Sequence, residues 1–312
     1  GEAWRGGGLV PYGKIELSPA AGVLNYGQGC FEGTKAFRTA NNNVVLFRID
    51  LNAKRMAMST KRLCIPKMNK SFFINAVKET VLDNIDYVPP YNNGTLYIRP
   101  IVWGTSPAIG VKPVQEYTFM VFVSPVGPYF KGGVKPLHLK INKDYHRAAP
   151  NGIGNAKAIG NYSASLYPLT EAKRKGFDEV LYLDAKSDTF IEELGSANLF
   201  VIKDKKLMTP KLRGSILAGV TRDSVMRLAK DKLGMNILET DISLNEVYNA
   251  DEVFCTGTAV SVTPVGRITD RNGVHTISDG NICPYTMKLK ELLVGIQREE
   301  IDDDFGWLYP LK

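Results

Sequence analysis

The chain has 312 residues, of which 44% are hydrophobic and 23% are charged, and its formal net charge at pH 7 is +7. This balance is ordinary for a globular protein, and the length suggests two domains. The basic residues are spread among Asp and Glu, which argues against nucleic-acid binding and suits small anionic substrates. No apolar run approaches the roughly 18 residues of a membrane span. The four cysteines and three histidines are too scattered for a zinc site.

In chain order, the first half of the sequence alternates strand and helix patterns. Strands are predicted for residues 14–17, 36–38, 44–48, 95–103 and 117–123, and helices for residues 50–63 and 71–85. The Asn41-Asn-Asn run between two of these strands predicts a hairpin turn. Residues 124–133 contain two prolines and three glycines, which is typical of an interdomain linker.

The second half of the sequence repeats the same alternation. Strands are predicted for residues 137–142, 179–183, 197–202 and 252–255, and helices for residues 163–174, 221–233 and 285–297. We therefore expect an α+β architecture of two domains that share a cleft. The small N-terminal domain would cover residues 1–126, the linker residues 127–134, and the large domain residues 135–312.

A single lysine stands in an unusual stretch, Asn151-Gly-Ile-Gly-Asn-Ala-Lys157-Ala-Ile-Gly-Asn-Tyr162. Its glycines permit positive φ and the close approach of a ligand, and they disfavour the interior of a helix or strand. A lysine held against a cofactor ring can lose its proton and form a Schiff base with a carbonyl. A solvated lysine on a surface turn fits the same pattern.

Three downstream segments could serve the same chemistry. The acidic pair Glu192-Glu193 precedes a small-residue turn, where a buried carboxylate could face a pyridine nitrogen and a solvated pair would need no function. Thr221 lies where a helix opens, so it could bind phosphate with neighbouring amides or act only as an N-cap. The turn Cys255-Thr-Gly-Thr-Ala259 follows a strand and is a second candidate for anion binding.

Two upstream features have equally plain interpretations when taken alone. Tyr97 and Arg99 are two residues apart on a predicted strand and therefore share a face. They could also be a half-buried tyrosine and a surface arginine of an edge strand. Arg55 is typical of a solvated helix position.

Taken together, these segments resemble the branched-chain amino acid aminotransferases, which are pyridoxal 5′-phosphate enzymes of fold type IV, and the plant-type branch is the most similar. The matching stretches are Leu24–Gly33, Leu96–Pro100, Ser124–Phe130, the Lys157 segment, Glu192–Phe200 and Glu252–Ala259. They follow in order and span nearly the whole chain. The resemblance implies a small α/β domain, a larger domain with a β-barrel-like sheet, and the cofactor at the domain interface.

The resemblance also implies the roles of individual residues. Lys157 would form the Schiff base and move the proton between substrate and cofactor, Glu193 would face the pyridine nitrogen, and Tyr162 the phenolic oxygen. The other implied cofactor-binding residues are Arg55, Ser196, Leu217, Val220, Thr221 and Thr258. The implied substrate-binding residues are Phe31, Tyr97, Arg99, Tyr129, Tyr162, Thr258 and Ala259, with Tyr26 and Val111 contributed by the partner subunit of a homodimer. Arg99 suits the distal carboxylate of glutamate, because a guanidinium binds a carboxylate through two parallel hydrogen bonds.

The implied activity is the reversible transfer of the amino group of L-leucine, L-isoleucine or L-valine to 2-oxoglutarate. Asn151, Ile153 and Ala218 depart from the family pattern, which leaves a methionine-derived or aromatic substrate as an alternative. A second alternative is a fold type IV D-amino acid aminotransferase or lyase, which would share Lys157 and Glu193 but ordinarily lacks the pair formed by Tyr97 and Arg99. A plant-type member would work in a plastid or mitochondrion, and another member in the cytoplasm. Since the chain starts at Gly1 rather than Met, the sequence leaves open whether a targeting segment precedes it.

Overall fold

A computed structural model describes residues 4–127, 134–281 and 283–311. These residues pack as two compact units. Unit 1 lies within Gly1–Pro128, Ala156–Gly160 and Ile296–Lys312, and unit 2 lies within Tyr129–Asn155 and Asn161–Gly295. The sequence prediction assigned everything after residue 134 to the second domain. Two late segments instead pack in unit 1, because Ala158 forms a β-bridge with Cys30 and a C-terminal strand joins the unit 1 sheet.

Unit 1 contains an antiparallel six-stranded sheet. Its strands are β1 (Gly29–Phe31), β2 (Thr34–Arg38), β3 (Val44–Phe47), β4 (Thr95–Gly104), β5 (Tyr117–Val126) and β15 (Leu308–Pro310). Strand β4 is central, since it pairs with β5 along one side and with β1 and β2 along the other. The predicted hairpin is confirmed: β2 pairs with β3 across a turn in which Asn42 has a φ of 63°.

One face of this sheet packs against helices α2 (Ile49–Arg62) and α3 (Lys70–Asp83). Alternate residues of β4, such as Leu96 and Ile98, are fully buried in that core, as the period of two in a strand requires. The opposite face therefore carries the residues between them. A short helix α1 (Gly22–Tyr26) and a single 3-10 turn (Ile85–Tyr87) complete the unit.

The strand predicted for residues 14–17 is wrong. These residues have no regular secondary structure, and Ile15 is exposed. A short apolar run becomes a strand only when another strand offers it hydrogen-bond partners. Within the described part of the chain, no strand pairs with this segment.

Unit 2 contains a nine-stranded sheet. Its strands are β6 (Leu137–Asn142), β7 (Glu179–Leu183), β8 (Ile191–Leu194), β9 (Asn198–Lys203), β10 (Lys206–Pro210), β11 (Asn236–Thr240), β12 (Glu252–Gly257), β13 (Ser261–Thr269) and β14 (Val274–Thr276). Six of them close a ring in the order β9, β12, β13, β6, β7 and β8, because β8 pairs back to β9. This closed ring is the predicted barrel-like sheet, and the pair that closes it is Glu193 with Asn198.

The remaining helices are α4 (Ile159–Ser163), α5 (Leu166–Arg174), α6 (Val220–Leu233), α7 (Leu244–Tyr248) and α8 (Pro284–Gln297). Helices α6 and α8 match the sequence prediction closely, whereas the helix predicted for residues 163–174 is only partly correct, because α5 begins at Leu166. Among the described helices, none combines the length and apolar character needed to cross a bilayer.

Candidate active site

Lys157 is half-buried in an irregular segment of unit 1 and is held there by its backbone. Its amide donates a 2.9 Å hydrogen bond to the hydroxyl of Ser59 on α2, and its carbonyl accepts a 3.1 Å bond from the amide of Phe31 on β1. The amine Nζ lies 4.8 Å from the centre of the Phe31 ring. Lys157 is therefore not a solvated lysine on a surface turn, because two regular elements fix its position.

In the glycine-rich stretch before Lys157, the positive φ that the sequence suggested for a glycine is found at another residue. The left-handed position there belongs to Asn151, with a φ of 62°, rather than to a glycine. Asn tolerates this region better than most residues. Gly154 is needed for close packing, since a Cβ on it would lie 2.6 Å from the Cβ of Ala148 and would collide with the carbonyl of Ser215.

Tyr97 and Arg99 lie on the face of the unit 1 sheet opposite the helices. Both are half-buried, and the Arg99 Nη2 donates a 2.8 Å hydrogen bond to the Tyr97 hydroxyl. The Arg99 guanidinium carbon lies 4.5 Å from the centre of the Phe31 ring. The predicted shared face is thus confirmed, whereas the edge-strand alternative is wrong because β4 is central in its sheet.

The same face contains two features that the sequence analysis missed. Lys35 on β2 pairs in register with Tyr97, so its side chain leaves the sheet on the same side. Burial, together with the charge of Arg298, lowers the pKa of Lys35 to about 8. Gly33 leaves room for the Tyr97 hydroxyl, with which a Cβ would collide. The positions of Lys35 and Gly33 relative to Tyr97 depend on the register between neighbouring strands, which the sequence of a single strand does not show.

Arg55 on α2 is buried, in contrast to the solvated position that its sequence suggests. Its Nε and Nη2 donate to the two carboxylate oxygens of Glu32 at 2.7 and 2.8 Å, and Glu32 is fully buried. Asn52, one turn earlier on α2, donates to Glu32 at 2.7 Å. The contact between Arg55 and Glu32 is therefore bidentate, and it fixes the plane of the guanidinium. Sequence analysis gave Glu32 no role, although a charged residue between Phe31 and Gly33 was the available signal.

In unit 2, Glu193 is buried in a set of hydrogen-bond donors. Its Oε1 accepts from the Leu217 amide at 2.9 Å and forms a 2.9 Å ion pair with Arg147. Its Oε2 accepts from the Asn198 amide group at 2.9 Å. The solvated alternative for this acidic residue is therefore wrong. Arg147 and Asn198 were also missed, because only the folded barrel brings residues 147, 193 and 217 together.

The neighbouring Glu192 is buried as well, but its carboxylate has fewer hydrogen-bond donors around it. The Ser215 hydroxyl donates to its Oε1, whereas its Oε2 has no hydrogen-bond partner among the described residues. Burial raises the pKa of this carboxyl above its ordinary value, against the lowering effects of Ser215 and Arg147. Ser196, two residues after Leu194, is exposed.

The first turn of α6 presents Val220 and Thr221, both nearly buried. The N-cap is Gly219, so Thr221 is not the cap, and no described side chain caps this helix end. The first amides of a helix and its dipole attract anions such as phosphate. Thr258 and Ala259 lie in the tight turn between β12 and β13, which is the other predicted anion-binding turn.

The remaining predicted residues are placed as follows. Tyr162 is half-buried on α4, and Tyr129 lies outside the described residues. Tyr26 accepts a 2.6 Å hydrogen bond from the Gly110 amide, and Val111 is 92% exposed.

Known proteins resemble this chain in sequence and in fold. Residues 29–268 match the family described as amino-transferase class IV. The chain is 48% identical to the chloroplastic branched-chain-amino-acid aminotransferase 2 of Arabidopsis thaliana, over 97% of this chain and 77% of that protein. It is 45% identical to the mitochondrial branched-chain amino acid aminotransferase 1 of Humulus lupulus, over 97% of this chain and 76% of that protein.

Among solved structures, the T.th. branched-chain amino acid aminotransferase with pyridoxamine 5′-phosphate superposes with a TM-score of 0.85. The two sequences are 32% identical, and the match covers 97% of this chain and 96% of that one. The chain therefore belongs to the class IV amino-transferase family, which uses pyridoxal 5′-phosphate, and within it to the branched-chain amino acid aminotransferases of fold type IV.

Proposed function

We propose that this protein reversibly transfers the amino group of L-leucine, L-isoleucine or L-valine to 2-oxoglutarate, giving branched 2-oxo acids and L-glutamate. One observation carries the proposal: the Lys157 amine and the Arg99 guanidinium lie 4.8 and 4.5 Å from the same Phe31 ring. Unit 1 thus brings together an amine for the chemistry, an apolar surface for a branched side chain and a cation for a distal carboxylate. The names of the relatives above support branched-chain substrates over a D-amino acid aminotransferase or a lyase.

The residues present fit pyridoxal 5′-phosphate. Lys157 offers a half-buried primary amine for a carbonyl. Glu193 offers a buried carboxylate for a pyridine nitrogen, with two donors on Oε1 and one on Oε2. The helix start at Val220 and Thr221 offers a site for a phosphate. When bound, the cofactor withdraws electrons from the substrate Cα through its protonated ring. Lys157 would hold the cofactor through Nζ, and once the substrate amine has displaced it, the free Nζ would take the proton from the substrate Cα and deliver it to the cofactor.

We assign the other cofactor contacts by residue type. Glu193 holds the proton on the pyridine nitrogen, and Tyr162 faces the phenolic oxygen. Arg55, whose plane Glu32 fixes, joins Val220, Thr221 and Thr258 at the phosphate, with Ser196 and Leu217 nearby.

We assign the substrate contacts in the same way. Phe31 and Tyr162 form the apolar wall against the branched side chain. Tyr97, Thr258 and Ala259 bind the α-carboxylate, and Tyr129 covers the substrate. Arg99 binds the distal carboxylate of glutamate, and its hydrogen bond to Tyr97 holds it in place while a branched substrate is bound.

The test is a steady-state assay of the protein loaded with cofactor, in which L-leucine and 2-oxoglutarate should yield L-glutamate. Lys157→Ala should lower kcat by at least about 10³-fold, because it removes the acid-base group as well as the anchor. Lys173→Ala, at an exposed position on α5, is the matched control and should leave kcat unchanged.

A panel of L-leucine, L-isoleucine, L-valine, L-methionine, L-phenylalanine and D-alanine tests the substrate. Branched-chain L-amino acids should have the highest kcat/KM. A higher value for L-methionine, L-phenylalanine or D-alanine would contradict the proposed substrate, and full activity in Lys157→Ala would contradict the proposed chemistry.

We also propose a homodimer in which Tyr26 and Val111 reach the partner's site. Support comes from an exposed apolar patch formed by Leu24, Ile109 and Val111. The hydrogen bond between the Tyr26 hydroxyl and Gly110 ties α1 to the loop that carries Ile109 and Val111. Exposed apolar patches of this kind usually mark an interface.

For the compartment, we propose a plastid or a mitochondrion, since the two plant relatives above are named chloroplastic and mitochondrial. The test is microscopy of a fluorescent fusion made from the complete gene product. A cytoplasmic signal would contradict this proposal.

A further inference from the structure

A buried cation lies directly against the Glu193 carboxylate. The side chain of Arg147 is 2% exposed and that of Glu193 is 3% exposed, and the Arg147 Nη1 lies 2.9 Å from the Glu193 Oε1. The same Nη1 also donates a 3.0 Å hydrogen bond to the carbonyl of Ser215. Removing two charges from water is costly, so a pair this deeply buried needs a reason beyond stability.

The surroundings of the pair show which oxygen the cation serves. The Leu217 amide and Arg147 both bind Oε1, whereas Oε2 accepts from Asn198, a neutral donor. Asn198 is also the strand partner of Glu193 at the closure of the barrel. Arg147 is thus part of the support of this carboxylate and places a positive charge against its Oε1.

We propose that Arg147 is a positioning residue that keeps the proton on the pyridine nitrogen of the cofactor rather than on Glu193. The proposal rests on the function proposed above, in which Glu193 faces that nitrogen. A proton shared by the two groups can lie on either one. With the proton on the nitrogen, Glu193 stays anionic and keeps its attraction to Arg147, and with the proton on the carboxylate this attraction is lost.

Distance decides whether Arg147 favours or disfavours the protonated pyridine nitrogen. The guanidinium would also repel a protonated nitrogen, but a nitrogen that binds the carboxylate rather than the guanidinium would lie farther from Arg147 than the 2.9 Å between Arg147 and Glu193. Because Coulomb energy falls with distance, the attraction exceeds the repulsion. Arg147 therefore favours the protonated ring, which is the form that withdraws electrons from the substrate.

The first experiment compares Arg147→Gln with Arg147→Lys in the protein loaded with cofactor. Arg147→Gln removes the charge, and kcat should fall about 10- to 100-fold with little change in KM, as when a group that supports a primary contact is lost. Arg147→Lys keeps the charge and should recover most of that loss. The matched control is Arg213→Gln, since Arg213 is 58% exposed and pairs with Asp241 at 2.8 Å.

A spectroscopic measurement separates this role from a merely structural one. Cofactor labelled with ¹⁵N in the ring reports the protonation of its nitrogen through the chemical shift. The wild type and Arg147→Lys should show a protonated nitrogen, and Arg147→Gln should shift toward the unprotonated form. A protonated nitrogen in Arg147→Gln, with kcat equal to that of Arg213→Gln, would overturn the inference while leaving the proposed function intact.

The double variant covers the case in which Arg147→Gln does not fold. Arg147→Gln/Glu193→Gln removes both charges of the pair and should match Glu193→Gln alone in kcat and in the nitrogen shift, because Arg147 acts only through Glu193. A further loss in the double variant would overturn the inference. Absence of transamination by the wild type would instead refute the proposed function, and the nitrogen shift would still report on Arg147.

Discussion

At the scale of single residues, the protein buries charges that its sequence presents as ordinary polar positions. Glu32 with Arg55 in unit 1, and Arg147 with Glu193 in unit 2, are ion pairs with nearly complete burial. Each pair contains a residue assigned to the cofactor. Glu192 differs from these, because one of its oxygens has no partner in the described part of the chain.

Glu192 gives a prediction about the pH dependence of stability. Burial raises the pKa of its carboxyl in the folded chain. Such a group contributes its full stability below its unfolded pKa, and that contribution is lost as the pH rises through the folded pKa. Glu192→Gln stays neutral and keeps an acceptor for Ser215, so it should be more stable than the wild type at pH 8, with the advantage shrinking as the pH falls toward 5.

The measurement is urea unfolding of the cofactor-free protein at several pH values between 5 and 8. Glu291→Gln, at an exposed position of α8, is the control and should change stability little. If the free energy of unfolding changes with pH in the same way for Glu192→Gln and the wild type, burial does not disfavour the ionised carboxyl of Glu192.

At the scale of elements, helix α2 explains how unit 1 holds its site. Asn52, Arg55 and Ser59 recur at helical spacing and form a polar stripe on a buried face. Asn52 and Arg55 bind Glu32, while Ser59 binds the backbone of Lys157. One helix thus orients both the arginine assigned to the phosphate and the lysine assigned to the Schiff base.

The Lys157 segment supports a second prediction, concerning Gly154. A Cβ at this position would meet the backbone carbonyl of Ser215, which cannot move aside as a flexible side chain could. Gly154→Ala should therefore destabilise the protein by about 1–3 kcal/mol, the usual cost of overpacking. Thermal unfolding of the cofactor-free protein measures this change.

Gly160→Ala is the matched control in the same segment. A Cβ there would meet nothing within 4 Å, and the residue lies in helix α4. It should be neutral or stabilising by up to about 1 kcal/mol, because Ala is the better helix former. Equal unfolding temperatures for the two variants would contradict the close contact between Gly154 and Ser215.

At the scale of the whole molecule, the prediction concerns assembly. Ile109 is 81% exposed and Val111 is 92% exposed on the loop that is tied to α1. If a second copy covers this patch, the double variant Ile109→Asp/Val111→Asp should be monomeric, because it places two charges in an apolar contact. It should also lose most activity, since Val111 would complete the partner's site.

Sedimentation equilibrium measures the mass, and Val274→Asp is the control. Val274 is 59% exposed on β14 and lies outside the patch, so this variant should remain dimeric. A monomeric wild type, or a dimeric double variant, would refute the proposed interface.

The sequence by itself determined most elements and the reaction class. Periodicity located α2, α6 and β6 closely, because the local spacing of apolar residues indicates which face is buried. The Lys157 segment and the other motifs indicated the family, since unusual runs of glycine and small residues are visible without a fold. The strand predicted for residues 14–17 was wrong. Strand β8 was missed because its two central residues are glutamates, which in sequence suggest an exposed segment although the whole strand is buried.

Only the tertiary structure decided how charges are paired and which glycines are needed for contact. Residues 32 and 55, or 147 and 193, are far apart in sequence, and no local pattern encodes a hydrogen bond between them. The same holds for Gly154 against Ser215 and for Lys35 opposite Tyr97. Burial and ion pairing depend on which distant segments meet, and this is a property of the folded chain.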